Sequence, residues 1–110
     1  VRRDTGDKVA VPLAGAVEQV VDALADVQRT LYEEALARRD NGTVEAATPE
    51  EAREASEAGF ARIPWQRLGA EGEAKLAEAA VSVRCLLRPD GSLPRSEDEP
   101  DLVAVTARAY

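Results

Sequence analysis

Between Ala16 and Arg39 the apolar side chains Val17, Val20, Val21, Leu24, Val27, Leu31, Ala35 and Leu36 recur at intervals of three and four, which predicts one continuous helix with a single apolar stripe. A chain of 110 residues has room for one small core and is too short for two. The stripe therefore needs a second layer, and a length of about 35 Å is enough to cross a small sheet. Arg38 and Arg39 complement the negative end of the helix dipole, and Asn41-Gly42 offers residues suited to the left-handed positions that end a helix.

The remaining segments read as short strands and two further helices. Val1 to Leu13 holds two strand-like runs, Val1-Arg2-Arg3 and Lys8-Val9-Ala10-Val11, flanking Asp4-Thr5-Gly6-Asp7, which predicts a hairpin. Thr43 to Ala47 suits a short strand. Thr48-Pro49-Glu50-Glu51 then starts a helix, with Thr48 as cap, Pro49 in the first turn and Glu51 completing a capping box. That helix should end at Gly59, and Phe60 to Trp65 should be an edge strand because Pro64 has no N–H for a central ladder. Ala70 to Ala80 favours a third helix, its start blurred by Gly69 and Gly72. Val81 to Leu87 and Leu102 to Tyr110 alternate as strands that pair with each other, the second placing Val103, Val105, Ala107 and Ala109 on one face, with Val103 and Val105 expected to supply its buried side. The connection from Arg88 to Asp101, with Pro89-Asp90-Gly91 and the acidic run Glu97-Asp98-Glu99, should be mobile. The order β-α-β-α-β-(α)-β-β after an N-terminal hairpin predicts an α+β fold with helices on one face of a small mixed sheet.

Charge and residue usage exclude several functions. A net charge of −7 and a pI near 4.6 disfavour a main nucleic-acid surface, which needs clustered Lys and Arg. Cys85 is the single cysteine and histidine is absent, so no intrachain disulfide, thiolate metal cage or Ser/Cys-His pair can be assembled. No apolar run approaches the roughly 20 residues that span a bilayer, and the first residues lack the apolar stretch expected of a signal peptide. A cytoplasmic, reducing location is expected. The absence of methionine is compatible with a removed initiator before Val1 or with a piece of a longer chain.

The candidate residues mostly favour structural readings. Cys85 is in phase with Val81, Val83 and Leu87, as for a buried thiol. Glu50, Glu51, Glu54 and Glu57 read as a solvated helix face rather than a metal or acid-base site. Trp65 suits a core or domain contact better than a base-stacking platform, and Arg2 and Arg3 suit pairing with Asp7 or solvent better than phosphate. The strand pattern of Thr106-Ala107-Arg108-Ala109-Tyr110 runs to the final residue, although termini fray unless tied down.

Taken in order, Val1-Arg2-Arg3-Asp4-Thr5-Gly6 through Val11-Pro12-Leu13, the long helix with Leu31-Tyr32 and Ala35, Thr48 with its following acids, Gly59-Phe60, Pro64-Trp65, Val83-Arg84-Cys85 and Ala107-Arg108-Ala109-Tyr110 resemble the C-terminal region of class II prolyl-tRNA synthetases of the archaeal and eukaryotic type. The resemblance implies a two-layer α/β sandwich, with residues 1–13 as the last hairpin of an anticodon-binding domain and 14–110 as the appended C-terminal domain. It implies a non-catalytic part of a ligase that attaches proline to its tRNA in protein synthesis. ATP, Mg, proline and tRNA would be bound by the rest of the parent enzyme, a homodimer, and no catalytic or cofactor-binding residue carries over. The chain end, Arg108, Ala109 and Tyr110, would dock toward the catalytic core. Many relatives hold zinc with four cysteines, two after the strand ending near Trp65 and two in the late loop. Here neither the segment from Gln66 to Glu73 nor the loop from Arg88 to Asp101 contains sulfur, so no zinc is expected. The rival reading is a stand-alone acidic module that engages a protein partner through its long helix or edge strand.

Overall fold

Helix α1 forms where the apolar spacing places it, from Ala16 to Asn41. The computed structural model describes residues 1–110 and divides into two units, Val1–Arg38 and Arg39–Tyr110.

In the first unit the expected hairpin is reduced to its turn. Arg2 N–H donates to the Asp7 carbonyl and Gly6 N–H to the Arg2 carbonyl, both at 2.9 Å, with Gly6 at φ +79°. No strand forms in 1–12, since two arms this short have no third strand to steady them. Arg2 pairs with Asp4 rather than Asp7, through Nε to Oδ1 at 3.1 Å and Nη2 to Oδ2 at 2.5 Å, and reaches Thr30 Oγ1 at 3.4 Å. That hydrogen-bonded pairing lowers the Asp4 carboxyl below its ordinary pKa and raises the Arg2 guanidinium. The expectation that α1 buries its stripe is corrected. No residue of α1 is buried, and Val17 is 78% and Leu24 65% exposed. Within this unit only a turn and a 3-10 segment, Leu13–Gly15, accompany the helix, so the unit by itself offers the stripe no second layer.

The second unit holds β1 (Thr43–Glu45), α2 (Pro49–Ser56), β2 (Phe60–Pro64), α3 (Trp65–Glu78), β3 (Val81–Leu87) and β4 (Val103–Arg108). The sheet order is β1-β2-β4-β3, with β1 parallel to β2 and β4 antiparallel to both β2 and β3. This is the expected α+β arrangement with a mixed sheet. One placement differs: β2 is central, not an edge. Pro64 is tolerated there because β1 pairs only with Phe60 to Arg62, so no partner on that side waits for its missing N–H.

Local signals set the ends of α2. Thr48 Oγ1 accepts the Glu51 N–H at 3.2 Å and Pro49 opens the helix, while Glu51 Oε2 reaches past the cap to accept the Ala47 N–H at 2.8 Å. α3 starts earlier than expected, at Trp65, and is broken at Gly69, whose φ of +58° only glycine adopts freely. The end of α1 uses no left-handed Gly42; Thr43 Oγ1 instead donates to the Arg39 carbonyl at 2.6 Å.

One face of the sheet meets α2 and α3. There Ala61 and Ile63 of β2, Ala104 of β4 and Val81 of β3 pack with Ala52, Leu68 and Leu76. Within this layer Ser56 and Thr106, 1% and 0% exposed, share a hydrogen bond of 2.8 Å, which satisfies two hydroxyls that would otherwise be costly to bury. The face buried by β4 is therefore Ala104 and Thr106, not Val103 and Val105 as the alternation suggested. A bulge at Arg84 makes the same kind of change in β3: Val83 opposes Thr106 but Cys85 opposes Val105. Cys85 and Leu87 thus leave the face of Val81 and Val83, and Cys85 is half-buried rather than a core thiol.

Candidate functional site

The chain end is held almost to its last residue. Arg108 closes β4 opposite Val81, and its carbonyl accepts a hydrogen bond from the Arg84 guanidinium. Ala109 N–H donates to the Ala80 carbonyl at 2.7 Å. Ala80 presents that carbonyl from the left-handed conformation that closes α3, at φ +56°. Tyr110 lies past this anchor and is 93% exposed. The three tail residues are contiguous, but their roles differ: Arg108 and Ala109 fix the direction, and Tyr110 with its carboxylate projects beyond.

The sheet face opposite α2 and α3 forms a second feature that reasoning from sequence missed. Phe60, Cys85, Leu87 and Val105 line a concavity of about 510 Å³ together with the polar side chains of Arg39, Asp40, Thr43, Glu45 and Arg62. Glu45, across the parallel register from Arg62, places Oε1 3.4 Å from Arg62 Nε. No sequence signal short of knowing the bulge at Arg84 and the central position of β2 would have put these residues together.

The other candidates stay apart from both. Trp65 opens α3, donates its backbone N–H to Leu102 O at 2.8 Å and packs beside the core, matching the structural reading. Glu50, Glu51 and Glu54 lie on α2 and Glu57 just past its end, without converging; Glu57 pairs with Arg53 at 3.3 Å. No group of three or more His, Cys, Asp or Glu side chains is placed to hold a metal ion, and no helix is long and apolar enough to cross a membrane.

No protein-family model matches the chain. Among curated proteins it is 53% identical over its full length to the proline-tRNA ligase of Frankia casuarinae and 50% identical over its full length to that of Frankia alni, covering 24% of each. The chain is homologous over its full length to the C-terminal region of proline-tRNA ligases. Over 99% of its length it is also 48% identical to proline-tRNA ligase 2 of Streptomyces avermitilis, covering 23% of that protein. It thus spans about a quarter of the length of the curated proline-tRNA ligases it matches.

Proposed function

We propose that this chain is the non-catalytic C-terminal domain of a proline-tRNA ligase and supports ATP-dependent attachment of proline to its tRNA by docking its carboxyl terminus on the catalytic part of the same polypeptide. The full-length match at 53% identity carries this reading and favours it over a stand-alone acidic interaction module. Residues 1–13 are read as the end of the anticodon-binding domain. ATP, Mg and tRNA belong to the rest of a homodimeric, cytoplasmic parent. The composition of this region supports a zinc-free domain, because Cys85 is its single cysteine and it has no histidine.

Tail geometry supports the docking role. The bond from Ala109 to Ala80 fixes the chain up to Ala109 before any partner is met, so Tyr110 is the one tail residue left to order when its carboxylate is placed. A carboxylate seated among donors in an enclosed site gains about 1.5–3 kcal/mol per charge-assisted hydrogen bond. The test is deletion of Tyr110 from the full polypeptide. Aminoacylation should fall about tenfold or more, the rate equivalent of one such bond. The 110-residue chain should melt unchanged, because the Tyr110 side chain is almost wholly exposed. Unchanged aminoacylation would reduce Tyr110 to the end of a sheet, and a lowered melt would make its role structural.

A further inference from the structure

A sheet with helices on one side and water on the other normally turns polar side chains outward. In the second unit the outward face instead presents Phe60, Cys85, Leu87, Val103 and Val105, with the Arg62–Glu45 pair among them and Thr43 and the Arg39–Asp40 pair lining the same concavity. The Arg62–Glu45 pair is poorly made. Arg62 Nε is the single buried side-chain nitrogen or oxygen without a hydrogen-bond partner, although Glu45 Oε1 lies 3.4 Å away, and Glu45 itself is 75% exposed. A buried donor left unpaired is costly enough that native structures rarely keep one. An apolar outer face and an orphaned donor at its centre call for the same remedy, a covering surface that is apolar and brings one acceptor to Arg62.

We propose that this face is where the domain docks on the remainder of its own polypeptide, through apolar side chains that cover Phe60, Cys85, Leu87 and Val105 and a carboxylate or carbonyl oxygen that accepts from Arg62 Nε. This rests on the reading of the chain as part of a proline-tRNA ligase. The occupant follows from length, because about three quarters of each matched relative lies outside the region this chain covers. A second copy fits poorly. A two-fold contact centred on this face would set Arg62 against its own symmetry mate, and chains of net charge −7 repel one another.

The experiment uses the full polypeptide with Phe60 replaced by the photo-crosslinker p-benzoylphenylalanine. Irradiation should join position 60 to peptides outside the 110 residues of the same chain. Links between two copies, links confined to the 110 residues, or none would overturn the proposal. Alkylation of Cys85 by N-ethylmaleimide in the unsubstituted native polypeptide gives a second readout that does not depend on the variant folding. A covered thiol should react about a hundredfold more slowly than glutathione, because labelling waits for local opening; a rate within about tenfold of glutathione sinks the idea. Aminoacylation by the same preparations separates the two failures. An active ligase with an open face loses only the docking surface, whereas an inactive polypeptide with a covered face loses the functional reading.

Discussion

Gly59 stands where two segments of backbone touch. Phe60 N–H donates to the Gly42 carbonyl at 2.8 Å, and a Cβ on residue 59 would lie 2.1 Å from that same oxygen. Read along the chain, this glycine is a helix terminator; in space it is the absence of a side chain that lets β1 and β2 begin their parallel pairing. Gly59→Ala should therefore destabilise the second unit by about 1–3 kcal/mol through forced overpacking, read as a lower urea midpoint at unchanged slope. An unaltered midpoint would mean that the Gly42 carbonyl moves aside freely. Ala80 makes the complementary point, since it holds φ +56° without the residue type that signals such a turn. Ser56 and Thr106 were equally silent, because nothing in a one-dimensional pattern pairs two hydroxyls fifty positions apart.

The connection between β3 and β4 has no regular secondary structure, yet it is cross-braced. Arg88 grips Glu99 with Nε to Oε2 at 2.7 Å and Nη2 to Oε1 at 3.0 Å, and the Arg95 N–H adds a third bond to Glu99 at 2.7 Å. Asp90 accepts both the N–H and the hydroxyl of Ser92. The acidic run had suggested a mobile tip; the structure shows one of its three acids recruited inward and the others left in solvent. Hydrogen bonds from Arg88, then from the Arg95 N–H, hold the Glu99 carboxyl down at about 2, from an ordinary 4.5. Because the folded pKa is depressed, the unfolded chain binds the extra proton, so the stabilisation is complete above about pH 4.5 and lost as pH falls toward 2. Melting temperatures of wild type and Glu99→Gln should differ by a constant amount near neutrality and converge through that acid window. The difference should also shrink in high salt, as expected for a solvent-accessible pair. Parallel melting curves down to pH 2 would show that the clasp contributes nothing.

The two faces of the sheet do unequal work. Ile63 is 0% exposed and sits in the layer against the helices, whereas Val105 opposes Arg62 and Cys85 on the other side. In the 110-residue chain Ile63→Ala should cost about 2–5 kcal/mol, while Val105→Ala, half-buried on an uncovered face, should cost about 1 kcal/mol or less. In the full polypeptide the Val105 cost should rise if that face is covered, and chemical denaturation of both variants in both contexts reads this directly. Equal costs in the 110-residue chain would show that the sheet is covered on both sides without any partner.

The features legible from sequence are those governed by neighbours a few residues apart. The period of three and four places α1, Thr48 and Pro49 start α2, and alternation marks β3 and β4, because helix hydrogen bonds, caps and strand pleats are satisfied within a turn or two of chain. Resemblance over the whole length also pointed to the proline-tRNA ligase C-terminal region. What sequence could not reveal depends on partners far away in the chain. Whether Val105 or Thr106 faces the helices is a choice between two equally regular alternations, and only in the fold does Thr106 meet the hydroxyl of Ser56 on α2. Whether Cys85 follows Val83 inward is settled by one extra residue at Arg84, since shifting a period-two pattern by one position exchanges its faces. The central place of β2 and the orphaned Arg62 donor come from strand order, which is decided by how separate segments share one core and leaves no mark in any single segment.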